Sequence, residues 1–195
     1  MNFLAHAHLS FDDEYLLVGN LIADAVKGKQ FFLFSDAIRK GIQLHRKIDA
    51  FTDTHPRVRH SKQLVYDFLA RYSGVAVDIY YDHFLALHWA DYSPVPLDDF
   101  TPWVYLTLGK NMAILPPRTR RVLPYMVAQN WLCSYASPNE LKRVFRGMDR
   151  RSGDRSGLRF AMEPLERHYD ALRDDFRLFY PELQQYVKQE QMVET

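Results

Sequence analysis

His45 and Asp49 stand four residues apart in the segment Gly41 to Asp53, GIQLHRKIDAFTD. On a helix, positions i and i+4 share one face, one turn apart. An imidazole and a carboxylate at that spacing can grip one metal ion, unless they serve as a capping or core hydrogen bond. Arg46 adjoins the pair and is placed to neutralise a phosphate. Asp53, one turn beyond Asp49, reads as a general base or an outer carboxylate, with a helix-end cap as the plain alternative. Further donors come from other segments: His6 in NFLAHAHL, Asp24 at the end of GNLIAD, and the adjacent Asp82 and His83 in YYDHF. Hard divalent ions such as Mn²⁺ and Mg²⁺ favour carboxylates and accept imidazole. His6, Asp24, His45, Asp49, Asp82 and His83 are therefore the candidate metal ligands, with Arg46 and Asp53 as candidate catalytic residues. An ion held there would activate water and polarise a phosphoryl oxygen, the chemistry of phosphoester hydrolysis. Carboxylates in apolar helical faces are costly unless paired or metal-bound, which favours function for the set. His8 ranks below His6; His55, His60 and His88 lack partners at metal spacing, and His168 reads as structural.

Helices must position these groups. Asp12 or Asp13 can cap a helix to about Lys27, with Gly28 as its stop. Ser35 precedes a second helix, on which Ile38, Ile42, His45, Ile48, Asp49 and Thr52 form one stripe. His55-Pro56 ends it. A third helix covers about Arg57 to Tyr72, and a fourth runs from about Val75 to Ala90, with Asp78 and Asp82 at i,i+4. The next is capped by Asp98 or Asp99 and reaches about Met112. LPPR starts another, to about Tyr135. Ser137-Pro138-Asn139-Glu140 has the pattern of a capping box, and its helix ends near Arg150. A last helix or pair begins near Leu158, interrupted at Tyr180-Pro181. No strand alternation and no Asn-Gly hairpin is present. The expectation is an all-α, single-domain bundle of about seven or eight helices over residues 1–195, the architecture in which facing helices assemble metal sites.

A chain of 195 residues, 47% hydrophobic and 14% aromatic, supports one full core. Its formal charge of +1 argues against a nucleic-acid binder. One cysteine, Cys133, cannot form an internal disulfide, which fits a reducing cytoplasm; Cys133 is expected in the core. No apolar run approaches the roughly 20 residues that span a bilayer, and the N-terminus lacks the pattern of a signal peptide.

In combination, NFLAHAHL, GNLIAD, GIQLHRKIDAFTD, DHFLALHW and HYDALRDDFRLFYP resemble the bacterial acyl carrier protein phosphodiesterases, over nearly the whole chain. The resemblance implies hydrolysis of holo-acyl carrier protein to 4′-phosphopantetheine and apo-protein, a divalent cofactor, preferably Mn²⁺, and an α-helical fold related to the HD phosphohydrolases. The usual HD order is a histidine, an adjacent His-Asp pair and a distant aspartate. This sequence has instead His45 with Asp49, and an inverted Asp82-His83, so that ligand set does not transfer position by position.

Such a carrier protein is acidic, and two basic runs could meet it: Arg118, Arg120 and Arg121, or the region from Lys142 to Arg159 that includes Arg143, Arg146 and Arg150. The second is the expected docking face. Two rival readings stand beside this one: an HD-type phosphohydrolase of a small nucleotide, and a non-catalytic helical module that binds an acidic partner.

Overall fold

The computed structural model describes residues 1–193 and is all-helical there, with no strand. Twelve α-helices follow one another: α1 (Phe3–His8), α2 (Glu14–Ile22), α3 (Asp36–Thr54), α4 (Pro56–Leu64), α5 (Tyr66–Leu69), α6 (Ser73–Leu87), α7 (Leu97–Lys110), α8 (Pro117–Ala128), α9 (Trp131–Ser134), α10 (Pro138–Arg151), α11 (Met162–Arg167) and α12 (Tyr169–Val193). Short 3₁₀ turns link several of them. The expected count was lower because some single runs are divided. The stretch after Pro117 breaks at Asn130, whose backbone is left-handed at φ 42°, a conformation asparagine tolerates better than most residues. The run from Arg57 to Tyr72 breaks at Val65 and at Ala70, where φ is 45°.

Local signals account for many boundaries. Asp13 caps α2, its Oδ1 accepting from the backbone N–H groups of Tyr15 and Leu16. That helix stops at Ile22, before the expected Lys27, and a 3₁₀ turn carries Asp24. Pro56 sits at the first position of α4 and His55 caps it. Ser137 caps α10 by accepting from the Glu140 N–H. One expectation is corrected: α12 runs through Pro181 without interruption. Proline removes one backbone hydrogen bond and normally kinks a helix. Here buried Phe176, Phe179, Tyr180, Leu183 and Val187 anchor the helix on both sides of an exposed proline, and packing prevails.

The core is centred on α6, where Ile79 to Ala86 are all buried. Tyr81 and Phe84 pack against Phe176 and Phe179 of α12 as tilted and edge-on rings. Asp175 of α12 is buried and binds α4 through His60 Nδ1 (2.6 Å) and the Ser61 hydroxyl (2.9 Å). The packing that matters most for the site is α2 on α3. A Cβ on Gly19 would lie 2.1 Å from the Ile38 carbonyl oxygen, and one on Gly41 would lie 2.3 Å from that of Leu16. The two helices therefore touch backbone to backbone, which only glycine permits. No helix among the described residues is long and apolar enough to cross a membrane.

Candidate metal centre

The stripe on α3 is as expected: Ile38, Ile42, Ile48 and Thr52 are buried, and His45 faces inward with them. Its chemical end meets α1 and α2. Because Gly19 and Gly41 let those backbones close, Asn20 on α2 reaches both imidazoles. The His45 Nδ1–H donates to the Asn20 carbonyl oxygen at 2.8 Å. His6 Nδ1 lies 2.8 Å from the Asn20 Oδ1. The Asn20 amide nitrogen donates to the His6 carbonyl and to the Ser10 hydroxyl, so Oδ1 is the acceptor and His6 Nδ1 carries the proton. The two rings stack with centroids 4.0 Å apart.

With both Nδ1 atoms occupied as donors, both Nε2 atoms point to one spot. His6 Nε2 is 3.3 Å from Asp49 Oδ1; His45 Nε2 is 3.1 Å from Asp49 Oδ2 and 3.3 Å from Asp24 Oδ1. Both nitrogens are buried, yet neither has a partner in hydrogen-bond geometry. One donor atom from each of His6, His45 and Asp49 lies within 4.8 Å of the others. Nitrogen lone pairs aimed at carboxylates repel unless a proton or a cation lies between them. The titration behaviour reports the same demand for positive charge. Burial pulls the His6 imidazole down. His45 is also buried, but the facing Asp24 and Asp49 raise it to about 9. Burial would raise Asp49; the two imidazoles hold it well below the ordinary carboxylate range. The imidazole of His45 likewise pulls Asp24 down. Two imidazoles with their outer nitrogens locked, plus carboxylates, fit a divalent ion, and the locked Nδ1–H bonds are the usual second contact of a metal-binding histidine.

A cavity of about 230 Å³ opens onto this spot, lined among others by Asn2, Leu21, Asp24, Thr52, Asp53 and Asp78. Asp24 is largely exposed at its mouth. Asp53 lines it too, and its Oδ1 accepts from the Lys62 ammonium at 2.8 Å.

Other expected site residues lie elsewhere. Asp82 is not brought to the cluster: it is fully buried, and its two oxygens accept from the backbone N–H groups of Leu4 and Ala5 (2.8 and 3.2 Å). It binds the first turn of α1, the helix that carries His6, where orphan N–H groups and the helix dipole favour a carboxylate. Burial raises it to about 7. His83 donates from Nδ1 to the Tyr135 carbonyl at 2.7 Å. Arg46 turns away from the cavity, its guanidinium 5.5 Å above the Phe31 ring. His8 packs 4.8 Å from Trp89 and bonds to the Tyr180 hydroxyl at 2.7 Å, and burial lowers it to about 4. Cys133 is half-buried rather than in the core, 3.3 Å from the Thr101 hydroxyl. Asn20 escaped the sequence reading. Its only signal was an amide inside the apolar run LLVGNLIA.

The family model for acyl carrier protein phosphodiesterase matches residues 1–183, which include every residue of the cluster. The chain is 35% identical over 193 residues to an acyl carrier protein phosphodiesterase of Enterobacter sp. (strain 638), covering 98% of this chain and all of that one. It is 36% identical over 184 residues to the protein of that name from Escherichia coli O45:K1 (strain S88 / ExPEC), covering 94% and 95% of the two chains. A Klebsiella pneumoniae (strain 342) protein with the same name is 34% identical over 193 residues. No solved structure matches the chain. With the family model spanning the whole site and relatives aligned end to end, the chain belongs to the acyl carrier protein phosphodiesterase family.

Proposed function

We propose that this chain hydrolyses the phosphodiester that joins 4′-phosphopantetheine to the serine of holo-acyl carrier protein, with a divalent ion, Mn²⁺ by preference and Mg²⁺ as an alternative, as cofactor. The supporting observation is the pair of buried, unpartnered Nε2 atoms on His6 and His45, both directed at Asp49. His6, His45 and Asp49 would hold the ion, and Asp24 is within reach of it. Bound there, it would lower the pKa of water and polarise the phosphoryl oxygen.

The protein's own groups do the rest. Asn20 fixes both imidazoles as Nδ1–H tautomers, so each presents a lone pair without rotating. Asp82 anchors the N-terminal turn of α1 and with it the position of His6. Asp53, at the cavity wall, is the carboxylate assigned to take the proton of the attacking water. Water adds its oxygen to phosphorus, the bond to the serine oxygen breaks, and that oxygen leaves with a proton. Arg46, stacked on Phe31, takes no part in neutralising the phosphate in this reading.

The test is to incubate the protein with holo-acyl carrier protein, with Mn²⁺ or with chelator, and to weigh the carrier protein by mass spectrometry. Loss of the 4′-phosphopantetheinyl mass with Mn²⁺ and none with chelator is expected. An unchanged carrier protein, beside turnover of free nucleotides, would make this a small-nucleotide phosphohydrolase. An unchanged carrier protein that nonetheless binds would make it a binding module.

A further inference from the structure

The cavity of about 230 Å³ is smaller than the ~300–1,000 Å³ that encloses a drug-sized ligand. It takes a phosphodiester and the atoms next to it; the remainder of a protein substrate must rest on the surface at its mouth. That surface has an unusual segment. Directly after the turn that carries Asp24 comes Lys27-Gly28-Lys29-Gln30-Phe31-Phe32-Leu33-Phe34, whose residues Gly28–Leu33 form a 3₁₀ turn with no buried residue. Leu33 is 82% exposed and Phe32 69%, among the most exposed large apolar side chains of the protein. Side chains of this kind in water mark a contact surface, and the chain leads to them from Asp24, which lines the cavity.

The segment is held against α3, the helix that carries His45 and Asp49. The Phe31 ring lies under the guanidinium groups of Arg39 and Arg46, at 5.8 and 5.5 Å. Arg39 and Arg46 are seven residues apart, so they share a stripe of α3 with Asp53, next to the stripe of His45 and Asp49. Arg39 is partnered by Asp36. Lys27, Lys29 and Arg46 enter no ion pair among the described residues. Exposed apolar side chains with unneutralised cations in the same short segment fit an acidic protein surface with an apolar patch. By contrast, some of the charge of the α10 region is already met, Arg143 by Glu140 at 2.9 Å and the nearby Arg159 by Asp149 and Asp154 at 3.4 Å.

We infer that the segment Lys27 to Phe34, with Arg46 behind it, is the docking surface for the acidic carrier protein, in place of the face from Lys142 to Arg150. This rests on the carrier-protein reading above. The cations steer the approach over about one Debye length, roughly 8 Å at physiological salt, and Phe32 and Leu33 supply the desolvated contact that slows release.

The test is a triple variant, Lys29→Glu, Phe32→Ser and Leu33→Ser, beside a second variant, Arg143→Glu with Arg146→Glu. These side chains are exposed, so the helical circular dichroism should not change. For the triple variant with Mn²⁺ and holo-acyl carrier protein, KM should rise at least tenfold at near-constant kcat, and hydrolysis of bis(4-nitrophenyl) phosphate should stay within twofold. Titration calorimetry with apo-acyl carrier protein should show at least tenfold weaker binding, and rising salt should weaken the native protein more than the variant. The second variant should behave as the native protein. An unchanged KM and affinity in the triple variant, or an equal loss on both substrates, overturns the inference, the first pointing to another surface and the second to a role in holding the site together. Failure of the native protein to hydrolyse the carrier protein is a different result and strikes the functional reading itself; the calorimetric comparison still decides whether the segment is the contact.

Discussion

Replacing Asn20 with Leu keeps the branching of the side chain but removes the amide oxygen that accepts the hydrogen bond of His6 Nδ1–H. The fold should survive, while affinity for Mn²⁺, measured by calorimetry, falls about 10- to 100-fold, the usual cost of losing an outer contact of a metal-binding histidine. Unchanged affinity would show that the ring is held some other way. Asp49→Asn is a sharper change, since Asp49 faces both imidazoles. Activity should drop at least 100-fold with the helical circular dichroism intact; an active variant with normal metal content would remove Asp49 from the centre. The meeting of His45 with Asp49 was legible because i,i+4 spacing is a property of one helix. His6 and Asp24 were legible as residue types, although their convergence depends on how three helices meet. Asp82 was misread for a physical reason: a buried carboxylate signals an obligatory partner without saying whether that partner is an ion or the end of another helix, and here it is the first turn of α1.

Two contacts between helices govern the site. The first is the backbone meeting of α2 and α3. Gly41→Ala would gain roughly 1 kcal/mol of helix propensity but would press a methyl group against the Leu16 carbonyl at 2.3 Å. Overpacking against backbone costs typically 1–3 kcal/mol or more, so the variant should unfold at lower denaturant and bind Mn²⁺ more weakly; equal stability would mean that the helices separate freely. The second is Asp82 under α1. Its ordinary value is 3.8 and the fold raises it to about 7. The folded protein therefore holds this proton more tightly than the unfolded chain. The stabilisation is fully present below pH 3.8 and is lost as pH rises through 7. Asp82→Asn should be less stable throughout, since one backbone N–H loses its acceptor, but its deficit relative to the native protein should narrow between about pH 4 and 7. A constant gap in melting temperature across that range would contradict the raised value. The sequence showed α3 and the caps of α2, α4 and α10 through local chemistry. It hid the α1–α6 link, which joins residues 77 and 78 positions apart.

For the molecule as a whole, metal that binds only the folded state should stabilise it. Free Mn²⁺ at 100 times its dissociation constant adds about 2.7 kcal/mol. The melting temperature should rise accordingly in the native protein and not in Asp49→Asn; a rise in both would place the ion elsewhere. Cys133→Ser should keep turnover within twofold, because the thiol lies beside Thr101 and does not line the cavity; abolished turnover in a folded variant would bring a thiol into the mechanism. The all-helical class was legible from periodicity and from the absence of alternation. The continuity of α12 through Pro181 was not, because local backbone chemistry argues for a break while the buried aromatics that override it belong to the tertiary structure.

Because Gly19 and Gly41 already touch, α2 and α3 have no room to approach further. Both imidazoles hang on Asn20 of α2, His45 through its carbonyl and His6 through its amide oxygen, so the gap between their outer nitrogens follows the close α2–α3 contact. Such a frame sorts ions by radius. Calcium, with bonds of about 2.3–2.6 Å, needs a wider and more adaptable shell than magnesium at about 2.0–2.1 Å. Calcium should therefore neither support turnover nor displace Mn²⁺ at equal concentration. Backbone chemical shifts along both helices should be nearly the same with and without the smaller ion, since the frame is built before the ion arrives.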